Sequence, residues 1–106
     1  IWLVPNPAHN LGGDFGLSTE GVALNLPKPA SLLTFSTFAM YKKEFFDPQF
    51  TGMPVGNPQG KAAPLAPLLR SAMDRGVVSA SLYTGPWTDV GTPERLMDLN
   101  QTPATP

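Results

Sequence analysis

Apolar and polar positions along this chain change their period several times, and each change marks an element. Ile1-Trp2-Leu3-Val4 is an unbroken apolar run, read as a buried strand end, and Pro5-Asn6-Pro7 stops it. Residues 8–14 are turn-rich. Phe15 to Leu17 reads as a short strand, Ser18-Thr19-Glu20-Gly21 as a hairpin-type turn and Val22 to Leu26 as the return strand. Leu32 to Tyr41 is rich in β-branched and aromatic residues. It predicts a strand with Thr34, Ser36, Phe38 and Met40 on one face and Phe35, Thr37, Ala39 and Tyr41 on the other. Lys42 to Phe46 reads as a short helical turn, and residues 47–63 as a loop.

The period then changes from two to about 3.6. From Pro64 to Arg75, Leu65, Leu68, Leu69, Ala72 and Met73 follow the i, i+3, i+4, i+7, i+8 pattern of an amphipathic helix, and Gly76 supplies its stop. Val77 to Tyr83 and Trp87 to Val90 read as strands. Thr92 can cap a last helix with Pro93 at its first position and Glu94 in its first turn. Residues 101–106 read as a disordered tail, which leaves residues 1–100 as the folded part. Strands alternate with helices only in the second half, while the first half is hairpin-like. The class expected is α/β, with a mixed sheet, a hairpin and flanking helices.

Composition narrows this. Of 106 residues, 42% are hydrophobic and only 14% charged. An average chain carries about 25% charged residues, so part of this surface is expected to meet another protein segment. The net charge of −1 and the lack of a basic block argue against nucleic acid as a partner. The chain has no cysteine and a single histidine, so disulfides, thiolate chemistry and multi-histidine metal sites are excluded within it. No apolar run approaches the roughly 20 residues of a membrane span. No signal-peptide pattern stands at residues 1–5. No membrane partner is expected, and the cytoplasm is the default location. A chain that opens with Ile inside an apolar run is expected to be part of a longer polypeptide.

The most informative stretch is Trp87-Thr88-Asp89-Val90-Gly91-Thr92-Pro93-Glu94-Arg95-Leu96. A short apolar run ends in a carboxylate, a Gly-Thr turn comes next, and a helix begins. That puts Asp89 at the C-terminal end of a predicted strand, where open α/β sheets bind ligands. The bland alternative is a turn carboxylate that accepts local backbone N–H bonds. His9 could help bind a phosphate, but it reads rather as a solvated loop residue, because no acid near it in sequence would orient it. Arg70 lies off the apolar stripe of its helix, so it is equally a solvated residue or a ligand. Asp14 and Asp89 are two acids that a fold could bring together.

The Trp-x-Asp-x-Gly-Thr pattern of Trp87 to Thr92 resembles the sugar-1-phosphate nucleotidyltransferases. So does Leu3-Val4-Pro5-Asn6-Pro7-Ala8-His9-Asn10 followed by Gly13-Asp14-Phe15, and Pro64-Leu65-Ala66-Pro67-Leu68-Leu69-Arg70. The resemblance covers residues 1 to about 100. It is to the C-terminal, sugar-binding half of the Rossmann-like fold of that family. It falls near the bacterial N-acetylmuramate α-1-phosphate uridylyltransferase branch, with mannose-1-phosphate guanylyltransferase-like proteins a close competitor. The resemblance implies a transferase of cell-wall recycling. A sugar 1-phosphate attacks the α-phosphorus of a nucleoside triphosphate and leaves a nucleotide sugar and pyrophosphate.

Residue by residue, the resemblance implies that Asp89 is a catalytic ligand of Mg2+, one of two aspartates that hold the ion. Gly13 matches a glycine whose backbone approaches the sugar. Lys28 matches a lysine that contacts the sugar phosphate, although Pro27 stands where the family carries glutamate. Arg70 matches an arginine that binds the sugar phosphate in some members. Thr37 stands at the sugar pocket where most members carry glycine. The family's Gly-rich nucleotide loop and first metal-binding aspartate have no counterpart here. The implied partners are therefore a nucleoside triphosphate, a sugar 1-phosphate and the N-terminal half of the same protein. The rival expectation is a non-catalytic sugar-phosphate-binding or assembly module derived from the fold, which Thr37 and Pro27 favour.

Overall fold

The computed structural model describes residues 1–27 and 30–101. Its centre is a mixed three-stranded sheet. Strand β1 (Trp2–Val4) lies in the middle. The hairpin strands β2 (Gly16–Leu17) and β3 (Ala23–Leu24) form a separate antiparallel pair. Strand β4 (Thr34–Phe35) runs antiparallel to β1, with Leu3 opposite Phe35 and Val4 opposite Thr34. Strand β5 (Ser81–Leu82) runs parallel to β1, with Trp2 opposite Ser81 and Leu3 opposite Leu82. The hairpin is tied to both outer strands of the sheet, because Phe15 pairs with Leu33 and Val22 with Ser79.

The hairpin closes for reasons visible in its residues. The Ser18 N–H donates to the Val22 carbonyl at 2.9 Å, and the Val22 N–H donates to the Ser18 hydroxyl at 3.0 Å. Gly21 takes the left-handed φ of 79° that the turn requires. Helix α1 (Pro48–Thr51) is a single turn within the stretch expected to be loop. Helix α2 (Leu65–Asp74) matches its predicted span, and helix α3 (Pro93–Gln101) lies directly after the Asp89 motif. Short 3₁₀ turns occupy Ala8–Asn10 and Lys43–Phe46.

The core lies where α2 meets the hairpin and the sheet. Leu3, Phe15, Ala23, Leu69, Ala72, Met73, Val78 and Ala80 are its buried members. Three of the five stripe residues of α2 are buried (Leu69, Ala72 and Met73), and Leu65 at its start is 38% exposed. Each fully buried leucine contributes about 1.5–3 kcal/mol relative to exposure. Helix α2 ends on Gly76 at φ 72°. The Gly76 N–H donates to the Met73 carbonyl at 2.9 Å, and the Val77 N–H to the Ala72 carbonyl at 3.2 Å. These are the two bonds of a Schellman stop.

Two expectations need correction. The predicted ten-residue alternation from Leu32 to Tyr41 breaks at Thr37, which has φ 70°. The Ser36 N–H donates to the Trp2 carbonyl at 3.1 Å, but the Trp2 N–H reaches past Thr37 to the Phe38 carbonyl, also at 3.1 Å. This is a bulge, and it re-aims the residues beyond Thr37. Thr34 and Ser36 are buried, whereas Phe38 and Met40, assigned to the same face, are exposed. Trp87 to Val90 is not a strand. Side chains take up its polar contacts in place of a ladder. Of the expected tail 101–106, Gln101 belongs to helix α3, and residues 102–106 lie outside the described residues, as does Lys28.

The molecule is open for its mass. It exposes 7609 Å2, where a globular monomer of this size exposes roughly 5700 Å2. Its radius of gyration is 16.0 Å, against about 13 Å for a compact domain of this length. Helix α3 buries none of its described residues, and Leu96, Met97 and Leu99 are all exposed. Among the described residues, no helix is long and apolar enough to cross a membrane.

Candidate functional site

The bulge at Thr37 has a direct consequence for the Asp89 segment. Because the Trp2 N–H bonds Phe38, the Ser36 carbonyl is left without that ladder partner. The Trp87 indole N–H donates to it instead, at 3.2 Å. The Ser36 hydroxyl closes the bulge, donating to the Trp2 carbonyl at 2.7 Å and accepting the Phe38 N–H at 3.2 Å. The segment that carries Asp89 is therefore pinned to the sheet at the bulge.

Asp89 itself is held on both oxygens. Its Oδ1 accepts the Gly91 N–H at 2.7 Å, the local turn bond of the bland reading. Its Oδ2 lies 3.1 Å from His9 Nε2 and 3.5 Å from an Arg95 guanidinium nitrogen. Arg95 is set by its helix start, where the Arg95 N–H donates to the Thr92 hydroxyl at 3.1 Å, as the predicted cap requires. The Arg95 Nε is buried without a hydrogen-bond partner. His9, expected to be a solvated loop residue, has an acid partner after all. That acid is remote in sequence, which is why proximity along the chain did not reveal it.

His9, Asp14, Thr34, Thr37, Trp87 and Asp89 line one open cavity of about 680 Å3. The fold thus brings Asp14 and Asp89 to the same cavity, but they are not equivalent. Asp14 is committed to the scaffold: its Oδ2 accepts the Phe35 N–H at 2.8 Å and its Oδ1 accepts Asn10 Nδ2 at 3.2 Å. Asn10 also donates to the Thr34 hydroxyl at 3.0 Å, and that hydroxyl donates to Asn6 Oδ1 at 2.8 Å. Asn6 Nδ2 in turn donates to the Leu32 carbonyl at 2.8 Å. This polar floor was not read from the sequence. Its only sign was an asparagine flanked by prolines, Pro5-Asn6-Pro7.

Arg70 is half-buried and held by two neighbours. Its Nη1 donates to Asn25 Oδ1 at 2.9 Å, and its guanidinium lies 4.8 Å above the Phe15 ring. It opens on a second cavity of about 440 Å3, lined also by Asp14, Asn25, Pro27 and Leu32. Asp14 is the wall shared by the two cavities. Arg70 and Asp89 are not lining residues of the same one.

Gly13 is buried at φ 72°, and a Cβ there would lie 2.7 Å from the carbonyl carbon and oxygen of Leu32. Close backbone packing is reason enough for glycine at this position.

The donor set bears on magnesium. Among the described residues, no group of three or more His, Asp or Glu side chains is placed to hold a metal ion. Asp89 and Asp14 each have both oxygens engaged by other groups, so each can offer an ion only a remaining oxygen lone pair. Magnesium is commonly held by one or two carboxylates, with water and substrate phosphates completing the shell. The residues fit one arm of a shared site and not a complete site.

A mixed sheet with a tied hairpin, flanking helices and a Trp-x-Asp-x-Gly-Thr loop beside a cavity is the arrangement expected of the sugar-1-phosphate nucleotidyltransferase class, which the chain resembles. Over 98 residues, 92% of this chain, it is 40% identical to the N-acetylmuramate alpha-1-phosphate uridylyltransferase of Neisseria meningitidis serogroup B (strain ATCC BAA-335 / MC58). The chain spans 39% of that relative's length. No protein-family profile matches the chain.

Proposed function

We propose that this chain is the sugar-phosphate-facing part of a magnesium-dependent uridylyltransferase. The reaction joins a sugar 1-phosphate to the α-phosphorus of a nucleoside triphosphate and expels pyrophosphate. The identity to a uridylyltransferase across nearly the whole chain carries the reading. The cavity around Asp89 and the unusually large exposed surface, which a further segment of protein would cover, support it.

In this reading Asp89 holds the ion, which supplies positive charge against the repulsion between two phosphate-bearing substrates. The chain's own contribution is positioning. The Gly91 N–H fixes one carboxylate oxygen, and His9 with Arg95 fixes the other. Trp87 holds the whole segment against the bulge. A carboxylate with its plane set beforehand loses less entropy when substrate arrives. Lys28 is proposed as a contact to the sugar phosphate.

Pyrophosphate release by the full-length protein, from uridine triphosphate and N-acetylmuramate 1-phosphate, tests the reading. Asp89→Asn is expected to lower the rate by about 100-fold or more, the scale set by losing one preorganised electrostatic group. An unchanged rate would remove Asp89 from the reaction. One observation favours a second reading, a non-catalytic sugar-phosphate-binding module. The Asp89 carboxylate is already matched by His9 and Arg95. Sugar-phosphate binding with no pyrophosphate release would select it.

A further inference from the structure

We infer that Arg70 recognises a carboxylate on the sugar, and so selects a carboxylate-bearing sugar 1-phosphate over the counterpart without that carboxylate. The inference rests on the transferase reading for its substrate class. N-acetylmuramate 1-phosphate carries two anionic groups: the phosphate at C1, and the carboxylate of a lactyl ether on the ring. The phosphate must lie at the reacting centre, in the cavity that holds Asp89 and His9. Arg70 opens on the other cavity, across the Asp14 wall. It is therefore placed for a charge at the far end of the substrate and not for the phosphate.

The chemistry around Arg70 fits such a charge. The guanidinium forms no ion pair among the described residues. Asn25 holds it by one nitrogen, and Asn25 Nδ2 donates to Asp74 Oδ1 at 3.2 Å, so the asparagine is itself fixed. Phe15 backs one face of the guanidinium plane. The rest of a planar five-donor fork is available to the cavity, and that geometry matches a carboxylate. No described carboxylate takes up the fork: Pro27 brings no charge, and Asp14, whose oxygens accept the Phe35 N–H and Asn10 Nδ2, shares the cavity wall without forming an ion pair to Arg70. Leu26 and Leu32 add apolar surface suited to the methyl of a lactyl group.

The test is calorimetric titration of the full-length protein with N-acetylmuramate 1-phosphate and with N-acetylglucosamine 1-phosphate, which lacks the lactyl carboxylate. Arg70→Gln is expected to weaken the first about 10- to 100-fold, the scale of a lost charged hydrogen bond, and to leave the second within about 3-fold. Arg70→Lys keeps the charge without the fork and should fall between. Unchanged binding of the sugar without the carboxylate also reports that the variant is folded. Equal weakening of both sugars would place Arg70 on the phosphate and overturn the inference, as would equal affinity of the unaltered protein for both. Selective binding with no pyrophosphate release would sink the transferase reading alone and leave Arg70's role standing.

Discussion

The body of the molecule and the arm that carries Asp89 are held by different forces. In the body, Leu3, Phe15, Ala23, Leu69, Ala72 and Met73 are buried together, and backbone pairing joins the hairpin to both outer strands. From Thr84 to Gln101 no residue is buried. The arm hangs on a few polar links: the Trp87 indole to the Ser36 carbonyl, and the Asp89 carboxylate to His9 and Arg95. Such links between partly exposed groups each contribute about 1 kcal/mol or less. Substitutions in the body should thus register as lost stability, and substitutions in the arm as lost site geometry in a protein that stays folded.

Gly13→Ala tests the body at its tightest point and should have the largest effect. The new methyl would meet the Leu32 backbone at 2.7 Å, with backbone rather than a flexible side chain in the way. Overpacking of about 1–3 kcal/mol would add to about 1–2 kcal/mol for a left-handed non-glycine residue. A fall in unfolding free energy of several kcal/mol, read by denaturant titration, is expected. A drop below about 1 kcal/mol would mean that the Leu32 backbone yields, and that the body is softer than its burial implies.

Trp87→Phe tests the arm. It keeps an aromatic side chain, smaller than the indole, but removes the N–H that satisfies the Ser36 carbonyl. The expected loss of stability is about 1 kcal/mol. Pyrophosphate release should fall disproportionately, by about 10-fold or more, because a misplaced carboxylate is costly in rate. A variant that loses stability but keeps its rate would show that His9 and Arg95 alone position Asp89.

The same division explains how much could be read from the sequence. Elements specified by local pattern were legible. The α2 stripe, the Gly76 stop, the hairpin turn at Ser18 to Gly21 and the Thr92 cap each depend on residues within a few positions of one another. The resemblance carried by Trp87 to Thr92 pointed to the cavity wall that holds Asp89. Long-range contacts were not legible. The His9–Asp89 pair joins the two ends of the chain, and the Asn6–Thr34–Asn10–Asp14 floor joins the segment between β1 and β2 to strand β4. The predicted strand at Trp87 failed because a short apolar run does not distinguish a strand from a loop whose polar groups find partners elsewhere. Separation of Arg70 from Asp89 into two cavities is likewise a property of the packed hairpin and helix, with no local signature.

The bulge at Thr37 joins the two regions, and the smallest expected effect tests it. A β-branched residue at φ 70° is strained. Left-handed conformation costs a non-glycine residue about 1–2 kcal/mol. Glycine there loses about 0.5–1 kcal/mol in extra chain entropy, so Thr37→Gly should raise stability by about 0.5 kcal/mol. The bulge would remain, since the Ser36 hydroxyl and the Phe38 and Trp2 backbone groups that form it are untouched. The Trp87 anchor should remain with it. Thr37 also lines the Asp89 cavity, so removing its side chain enlarges that wall without moving the acid. Slightly raised stability with tolerance of bulkier sugars would assign the threonine to the pocket, held there in spite of backbone strain. Lower stability would instead mean that the Thr37 side chain makes contacts that outweigh its φ, and the bulge would then belong to the body and not to the arm.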